Sequence, residues 1–268
     1  MRRGRFGPSL VSPTFSIPDF EITHELVRDL FAETFRVFGT DLVGLYLGGS
    51  LALGGFESDR SDLDFVVVVS DPIDSTALEM LRGSNSQIRA SARNRLYGCY
   101  EGVYLTSAQA ASPLAPAIVA PHLGGDGRLE IEPHGSEIVV DLWKVRRSGF
   151  VVFGPPPSQV IGEIADSDLG AAKLELFRSW WLPKVKRREP MDSGYQAYAV
   201  LTMCRFLYSL VHGGDVSKRL AANWVIGRHP TFASLVAAAR DRGFVGEFDH
   251  LDAVYDLIQA VAAALSEN

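Results

Sequence analysis

Glycine and serine residues that can contact a phosphate lie close together near one end of the chain. Gly48, Gly49 and Ser50 form a turn after an apolar run. Paired glycines let backbone N–H groups approach a phosphate closely, and Ser50 is placed to cap a following helix, whose amino end favours anions. Such a turn is more often purely structural, so alone it indicates little.

Two aspartates follow at the entry to a second apolar run. Asp62 and Asp64 flank Leu63 at the start of LDFVVVV. Because side chains alternate along a strand, both aspartates point to the same side of the sheet. Facing carboxylates repel each other unless a cation lies between them, and Mg²⁺ is commonly held by one or two carboxylates together with substrate phosphates. The alternative is a polar strand entry with both side chains solvated.

A third carboxylate, Glu101, lies within the strand-like segment CYEGVYL. Burying a lone carboxylate among apolar side chains is costly without a partner. Glu101 therefore either faces solvent or joins the two aspartates from a neighbouring strand. In the second case it can bind a metal or accept the proton of an attacking hydroxyl.

The elements that must position these residues follow from the spacing of apolar side chains. Short apolar runs predict strands at residues 42–47, 63–69, 99–105 and 150–153. Helical spacing predicts helices at residues 19–39 and 74–95. Residues 137–147 fit either a strand or a helix. Residues 106–135 are dominated by proline, glycine and alanine, so we expect an irregular loop with His122 and His134 at its surface.

The composition changes at a proline run, residues 155–157. Every later apolar segment has helical spacing, at residues 167–188, 194–212, 216–228, 231–242 and 248–265. The sequence therefore predicts an α/β domain at residues 19–157 and a helical bundle at residues 158–268, with a flexible arm at residues 1–18. A cleft between the two domains is the default ligand site.

Composition limits the partners and the compartment. A net charge of −6 and a pI of about 5.5 disfavour a protein that coats nucleic acid, so no DNA partner is expected, although a cationic substrate would be attracted. Cys99 and Cys204 are too few for a disulfide framework, which favours a cytoplasmic setting. No apolar run approaches the roughly 20 residues that span a bilayer, so no membrane partner is expected. We expect a monomer.

The order Gly-Gly-Ser, then Asp-x-Asp on a strand, then a carboxylate on a following strand resembles the DNA polymerase β-like nucleotidyltransferase superfamily over residues 42–105. The resemblance implies a short mixed sheet with flanking helices, and thus an α+β fold with a C-terminal α-helical bundle. It implies that Gly49 and Ser50 contact the triphosphate of ATP. It also implies that Asp62, Asp64 and Glu101 bind Mg²⁺, in a site for two ions, while a hydroxyl attacks the α-phosphorus in line and expels pyrophosphate.

The segment VLTMCRFLYSLVHGGDVSKRLAANWVIGRHP resembles the C-terminal part of the aminoglycoside 3''- and 9-adenylyltransferases, which transfer AMP to streptomycin and spectinomycin. The shared features are a V-L-T-x-x-R helix, a glycine turn, a Ser-Lys pair and an A-A-x-W helix. By position, the resemblance implies that Arg205 and Lys218 contact the ATP phosphates and that Glu101 is the general base. From the residues alone, Arg205 also fits an ion pair with an acidic neighbour, and Lys218 fits a solvated lysine.

Weaker candidates remain for the nucleotide. Ser61 is a candidate for a phosphate contact, and Phe244 for adenine packing, although Phe244 fits a core position equally well.

Two departures from the family concern the acceptor. Where the streptomycin enzymes have an aspartate that contacts the drug, this chain has Tyr195, with Asp192 three residues earlier as a candidate substitute. Residues 116–135 lack the tryptophan that those enzymes carry in the corresponding loop. Trp180 and Trp181 are interpreted as helix packing rather than as a platform for a sugar ring.

These features together predict an enzyme, a Mg²⁺-dependent adenylyltransferase that moves AMP from ATP to a hydroxyl of a small cationic molecule. An antibiotic of the streptomycin or spectinomycin type is the first candidate, with antibiotic resistance as the role. Two alternatives stay open: a nucleotidyltransferase with a protein or tRNA acceptor, and a nucleotide-binding sensor without turnover. The three carboxylates argue against the sensor, because a sensor need not retain a base.

Overall fold

The structure is a computed structural model that describes residues 20–242 and 247–267. The expected arm at residues 1–18 and the candidate Phe244 lie outside these ranges. Within them, no helix has both the length and the apolar character that crossing a membrane requires.

One sheet organises the first half of the chain. Its strands are β1 (Leu42–Leu47), β2 (Leu63–Val69), β3 (Tyr100–Thr106), β4 (Ile118–Leu123), β5 (Leu129–His134) and β6 (Phe150–Phe153). Their order is β5-β4-β3-β2-β1-β6. Strands β2 and β3 run parallel, and the other neighbours pair antiparallel. The predicted mixed sheet is therefore confirmed.

Helices flank the sheet and form the second half. Those in the first half are α1 (Phe20–Phe38), α2 (Gly49–Ala52), α3 (Ser75–Ser91), α4 (Ser107–Ala111), α5 (Ser136–Ser148) and α6 (Pro157–Val160). Those that follow are α7 (Asp166–Leu176), α8 (Leu182–Arg187), α9 (Ser193–His212), α10 (Lys218–Arg228), α11 (Ala233–Asp241) and α12 (Leu251–Glu267). A π-helical turn, Phe177–Trp181, joins α7 to α8. Short 3-10 turns lie at Gly39–Asp41, Arg95–Gly98 and Pro230–Phe232.

The alternation of β2 side chains separates two cores. Phe65 and Val67 pack in the core that contains α1 and α3, whereas Val66 and Val68 pack in the core that contains α5 and α7. Both faces of β2 are thus buried, as its continuous apolar run predicts. Because Asp64 has the same parity as Val66, it lies on the side of the sheet that α5 covers.

The second half packs around α9, which contacts α10, α11 and α12. Its buried core includes Val200, Met203 and Cys204, so the predicted helical bundle is confirmed. Helix α7 packs against α5 and contributes Leu169 and Ala172 to the core that contains Val66 and Val68. The predicted division of domains at residues 157 and 158 stays a prediction.

The expectation of an irregular loop over residues 106–135 is wrong. This stretch contains α4 and the antiparallel hairpin of β4 and β5. Its prolines, Pro121 and Pro133, are tolerated because β5 is an edge strand and β4 pairs with β3 at only two register positions, so few ladder hydrogen bonds are lost. His122 and His134 consequently lie on strands, and His134 is buried rather than at the surface. The ambiguous residues 137–147 belong to helix α5.

Candidate active site

The three carboxylates lie at one end of the parallel strand pair. Asp62 directly precedes β2, and Asp64 and Glu101 are the second residues of β2 and β3. Asp64 and Glu101 are register partners across this pair. All three side chains line a cavity of about 580 Å³. The structure thus brings Glu101 to the aspartates, which is one of the two alternatives that the sequence leaves open.

The electrostatics of this group reflect burial and mutual repulsion. Burial, followed by the carboxylates of Asp141 and Glu101, raises the pKa of Asp64 to about 7. Burial, with Asp62 and Asp141, also raises the pKa of Glu101 above its usual range. The Asp62 side chain is 57% exposed and lines the cavity. A bound cation would relieve this concentration of negative charge.

The donor set fits Mg²⁺ in combination with a phosphate ligand. Among residues 20–242 and 247–267, no group of three or more His, Cys, Asp or Glu side chains is arranged to hold a metal ion by itself. Mg²⁺ in nucleotide sites is usually bound through one or two carboxylates, with water and substrate phosphates completing the shell. Asp62 and Asp64 supply such a carboxylate pair beside open space in the cavity.

The Gly-Gly-Ser turn passes directly over Asp64. Gly49 has a φ of +56°, and a Cβ atom there would lie 1.6 Å from Oδ2 of Asp64. The Gly48 N–H donates to the Asp64 carbonyl over 2.9 Å. Gly48 is also the N-cap of α2 and Ser50 is its second residue, so the expectation that Ser50 caps this helix is wrong.

The Ser50 hydroxyl is a buried polar group that has no hydrogen-bond partner among the described residues. Leaving such a group unpaired costs about 1–3 kcal/mol, which a ligand oxygen in the cavity would recover. This observation supports a contact from Ser50 to a bound phosphate.

Arg95, which the sequence did not single out, anchors the loop before β2. Its Nη2 donates to the carbonyl of Ser61 and its Nε donates to that of Ser58 over 3.3 Å. Its Nη1 lies 4.0 Å from Asp62 Oδ1. Ser61 lines the cavity, and its Oγ accepts from the Glu57 N–H over 2.9 Å. The loop that carries Ser61 and Asp62 is therefore held by one guanidinium.

Two cations from the helical half line the same cavity. Arg205 comes from α9, and Lys218 is the first residue of α10. Lys218 Nζ lies 4.6 Å from the centroid of the Tyr198 ring. Although the Lys218 residue is exposed at the cavity, the surrounding protein desolvates its ammonium group. This desolvation, followed by repulsion from Arg205, lowers the pKa of Lys218 to about 8.

Arg205 also forms the ion pair that the sequence leaves open as an alternative. Its Nε donates to Oδ1 of Asp215 over 3.0 Å, and its Nη2 donates to Oδ2. Arg205 nevertheless lines the cavity, so the ion pair and a phosphate contact are compatible.

Helix α5 contributes two site residues that the sequence patterns missed. Asp141 and Lys144 form an ion pair of 2.8 Å and line the cavity beside Asp64. The available signal was their spacing of three residues, which places them on one helix face. It could not be used while residues 137–147 fitted a strand equally well.

A second cavity, of about 650 Å³, adjoins the first. It is lined in part by Glu137, Trp180 and Tyr195. Trp180 is 52% exposed, and its Nε1 donates to the Tyr195 hydroxyl over 2.8 Å. Trp181 is buried, so the packing interpretation describes Trp181 and not Trp180. Asp192 caps α9 by accepting from the Tyr195 N–H over 2.8 Å, and it is absent from the residues that line the two cavities.

The two cavities share one wall. The residues that line both are Asp141, Lys144, Tyr198 and Arg205. A molecule in the second cavity would therefore reach the carboxylate end of the first.

Comparison with known proteins finds similarity over both halves of the chain. A family profile described as the C-terminal domain of aminoglycoside adenylyltransferases matches residues 173–268. An aminoglycoside (3'') (9) adenylyltransferase of Klebsiella pneumoniae is 25% identical over 226 residues, 81% of this chain and 84% of that protein. A spectinomycin 9-adenylyltransferase of Staphylococcus aureus is 24% identical over 249 residues, 89% of each chain.

The fold is also that of a solved structure. A crystal structure of spectinomycin adenyltransferase AAD(9) from Enterococcus faecialis with ATP and spectinomycin superposes with a TM-score of 0.73. It is 19% identical and covers 91% of this chain and 99% of the other. The profile and the relatives together show that the chain is similar to aminoglycoside (3'') (9) and spectinomycin 9-adenylyltransferases over most of its length.

Proposed function

We propose that the protein transfers AMP from ATP to a hydroxyl of a small cationic molecule of the aminoglycoside or spectinomycin type, in a Mg²⁺-dependent reaction that releases pyrophosphate. The observation that carries the proposal is the register pairing of Asp64 with Glu101. This pairing would place the proposed metal-binding carboxylate of Asp64 beside the proposed proton acceptor Glu101, in a cavity that Arg205 and Lys218 also line.

Asp62 and Asp64 would hold Mg²⁺, and Glu101 is a further candidate ligand beside them. Bound there, Mg²⁺ supplies charge neutralisation for the triphosphate and for the pyrophosphate that leaves. The support is electrostatic: burial and two neighbouring carboxylates raise the pKa of Asp64 to about 7, which a cation would reverse. The number of ions, for which we propose two, follows only from the resemblance to the superfamily.

The triphosphate of ATP would lie between the Gly-Gly-Ser turn and the helical half. Gly49 contributes backbone at close range, Ser50 an unpaired hydroxyl, and Ser61 a weaker polar contact. Arg205 and Lys218 would stabilise the charge that develops on the transferring and leaving phosphates. Positioning and electrostatic stabilisation supply most of the rate in phosphoryl-group chemistry.

Glu101 would accept the proton of the attacking hydroxyl. The hydroxyl oxygen forms a bond to the α-phosphorus as the bond to the bridging oxygen of pyrophosphate breaks, so AMP is added to the acceptor. A pKa raised by burial and neighbouring carboxylates makes Glu101 a stronger proton acceptor than an ordinary glutamate.

The acceptor would occupy the second cavity. Trp180 and Tyr195 give its wall an aromatic surface, which suits a cationic molecule with ring faces. Glu137 and Asp141 offer carboxylates to such a molecule, beside the cations Lys144, Lys173 and Arg205 of the same lining. The relatives named above act on aminoglycosides and spectinomycin according to their names. Tyr195 contributes to this wall directly, whereas Asp192 would act mainly by capping α9.

The test is incubation with ATP, MgCl₂ and a panel of aminoglycosides and spectinomycin, read by mass for the addition of AMP. We expect one or more drugs to gain AMP and pyrophosphate to be released in equal amount. Transfer of label from ATP into macromolecules of a lysate, with no modified drug, would instead favour a protein or RNA acceptor. ATP binding without any pyrophosphate release would favour a sensor.

Glu101→Gln isolates the base. We expect it to lower kcat by roughly 10²–10⁴-fold, because a positioned general base contributes about that much. ATP binding should persist, measured by equilibrium titration in Mg²⁺. Retention of full activity would remove Glu101 from the role of base.

A further inference from the structure

A buried ion cluster lies behind Arg205 and involves Asp215 and Lys173, neither of which the sequence patterns singled out. Asp215, in the turn between α9 and α10, has a side chain that is 0% exposed. The side chains of Lys173 and Arg205 that pair with it are 8% and 16% exposed. Arg205 donates two hydrogen bonds to the two carboxylate oxygens, and Lys173 Nζ donates to Oδ1 over 2.9 Å.

The cluster contains two cations and one anion, so it retains one positive charge. Burial by itself would raise the pKa of Asp215, but the adjacent Arg205 and Lys173 hold that pKa well below its usual range. Asp215 is therefore ionised at neutral pH. Burying ions is costly unless they are paired, so a cluster with an excess cation beside a cavity indicates an anionic ligand.

The hydrogen bonds fix the plane of the Arg205 guanidinium. Nε and Nη2 both bond the carboxylate of Asp215, which is the bidentate geometry that orients arginine most strictly. Among the described residues, none offers Nη1 a hydrogen-bond acceptor, and Arg205 lines both cavities. The unused edge of the guanidinium is thus available to a ligand.

The same cluster forms hydrogen bonds to the turn that precedes Lys218. Oδ1 of Asp215 accepts from the Val216 N–H over 3.0 Å. Ser209 accepts from Lys173 Nζ over 2.5 Å and donates to the Gly214 carbonyl over 2.7 Å. Helices α7 and α9 and the turn before α10 are therefore linked through one carboxylate.

We propose that Asp215 is a positioning residue for the nucleotide. It orients Arg205 so that the unused edge of the guanidinium faces the triphosphate of ATP. Because the charges of Arg205 and Asp215 cancel, Lys173 supplies the net positive charge of the cluster. The inference rests on the proposed function, since it takes ATP as the ligand of the first cavity. The role passes through Arg205, so Asp215 itself touches no reacting atom.

The test is a double-mutant cycle on ATP affinity, measured by equilibrium titration in MgCl₂ for the unsubstituted protein, Asp215→Asn, Arg205→Met and the double variant. We expect each single substitution to weaken ATP binding about tenfold, the size of a charge-assisted hydrogen bond. The double variant should bind ATP no more weakly than Arg205→Met, because Asp215 acts through Arg205. In turnover, Asp215→Asn should raise the KM for ATP and leave the KM for the acceptor unchanged.

Asp166→Asn is the matched control. Asp166 also accepts from two donors, Trp143 Nε1 and Arg147 Nη1, but it is absent from the residues that line the two cavities. Its substitution should leave ATP affinity unchanged. If Asp215→Asn weakens ATP binding as much in the Arg205→Met background as in the unsubstituted protein, the two losses of affinity are additive. That result would overturn the inference and leave the proposed function standing.

Failure of the unsubstituted protein to bind ATP would overturn the proposed function and this inference together. If Asp215→Asn does not fold, Lys173→Met decides the matter. It removes the excess positive charge and keeps the Arg205–Asp215 pair, so we expect ATP affinity to fall about tenfold. Unchanged affinity in that variant would overturn the inference.

Discussion

A Cβ atom at Gly49 would lie 1.6 Å from Oδ2 of Asp64. The glycine turn and the aspartate pair, which are separated in the sequence, are thus in direct contact in the fold. Residue 49 also has a left-handed φ of +56°, so both its conformation and its lack of a side chain are required. The backbone at Gly49 therefore packs directly against the carboxylate of Asp64.

Substitution of this glycine should therefore displace the carboxylate. We expect Gly49→Ala to lower kcat/KM by about 100-fold or more, because displacements near 1 Å at a reacting centre have effects of that size. The matched control is Gly54→Ala, which has a similar φ of +62° but meets no atom within 4 Å. It should cost about 1–2 kcal/mol of stability through strain and keep most of the activity. Equal losses of activity in the two variants would contradict the contact as the cause.

The dependence of activity on Mg²⁺ concentration should distinguish the role of Asp62 from that of Glu101. Even residues in the second coordination shell change metal affinity by roughly 10–100-fold, so we expect Asp62→Asn to raise the Mg²⁺ concentration for half-maximal activity at least tenfold. Its exposed position leaves room for water to replace the lost ligand. Excess Mg²⁺ should then restore part of the activity of Asp62→Asn and none of that of Glu101→Gln. A Mg²⁺ titration that is unchanged in Asp62→Asn would exclude Asp62 as a ligand.

The exposed tryptophan of the second cavity should affect the acceptor only. Truncation of a large aromatic contact commonly costs 1 kcal/mol or more, so Trp180→Ala should raise the acceptor KM about tenfold without changing the KM for ATP. Trp180→Phe keeps an aromatic face and loses the hydrogen bond to Tyr195, and we expect a smaller effect. Steady-state kinetics with each substrate varied would show this. A change confined to the KM for ATP would place the acceptor elsewhere.

Acid should weaken the ion cluster around Asp215. The folded-state pKa of this group lies below its ordinary value of 3.8, so its stabilisation is fully present above that value and is lost as the pH falls below it. Arg205, Lys173 and Lys144 are the cations responsible. We expect the unsubstituted protein to have a higher Tm than Asp215→Asn at pH 6, with the difference shrinking below about pH 4. A difference in Tm that does not change with pH would show that Asp215 stabilises by packing alone.

The elements that carry local signals could be predicted from the sequence. Helix α1, strands β1, β2, β3 and β6, and the helical second half follow from the spacing of apolar side chains. The exceptions are α4, α5 and the hairpin of β4 and β5. The hairpin is stabilised by pairing across the turn and by its place at the sheet edge. Proline and glycine composition is a poor guide there, because edge position decides whether a missing N–H matters.

The site divides in the same way. Gly49, Ser50, Asp62, Asp64 and Glu101 are recognisable because their residue types and order are unusual for a structural segment. Asp141, Lys144, Lys173 and Asp215 carry no such pattern, since each is an ordinary polar residue on a helix or a turn. Their place in the site follows only from how α5 and α7 pack against the sheet and how α9 packs against α7.

The sequence by itself determined the residue types at the carboxylate end of the sheet and the local elements that carry them, because strand alternation and glycine turns are short-range properties. Only the tertiary structure decided that Glu101 pairs in register with Asp64 and that Asp215 holds Arg205 at the opposite wall. Both relationships depend on contacts between distant segments, which form when separate apolar faces are buried together. Tertiary packing therefore determines which groups a charged side chain contacts, and a local sequence pattern does not predict those contacts.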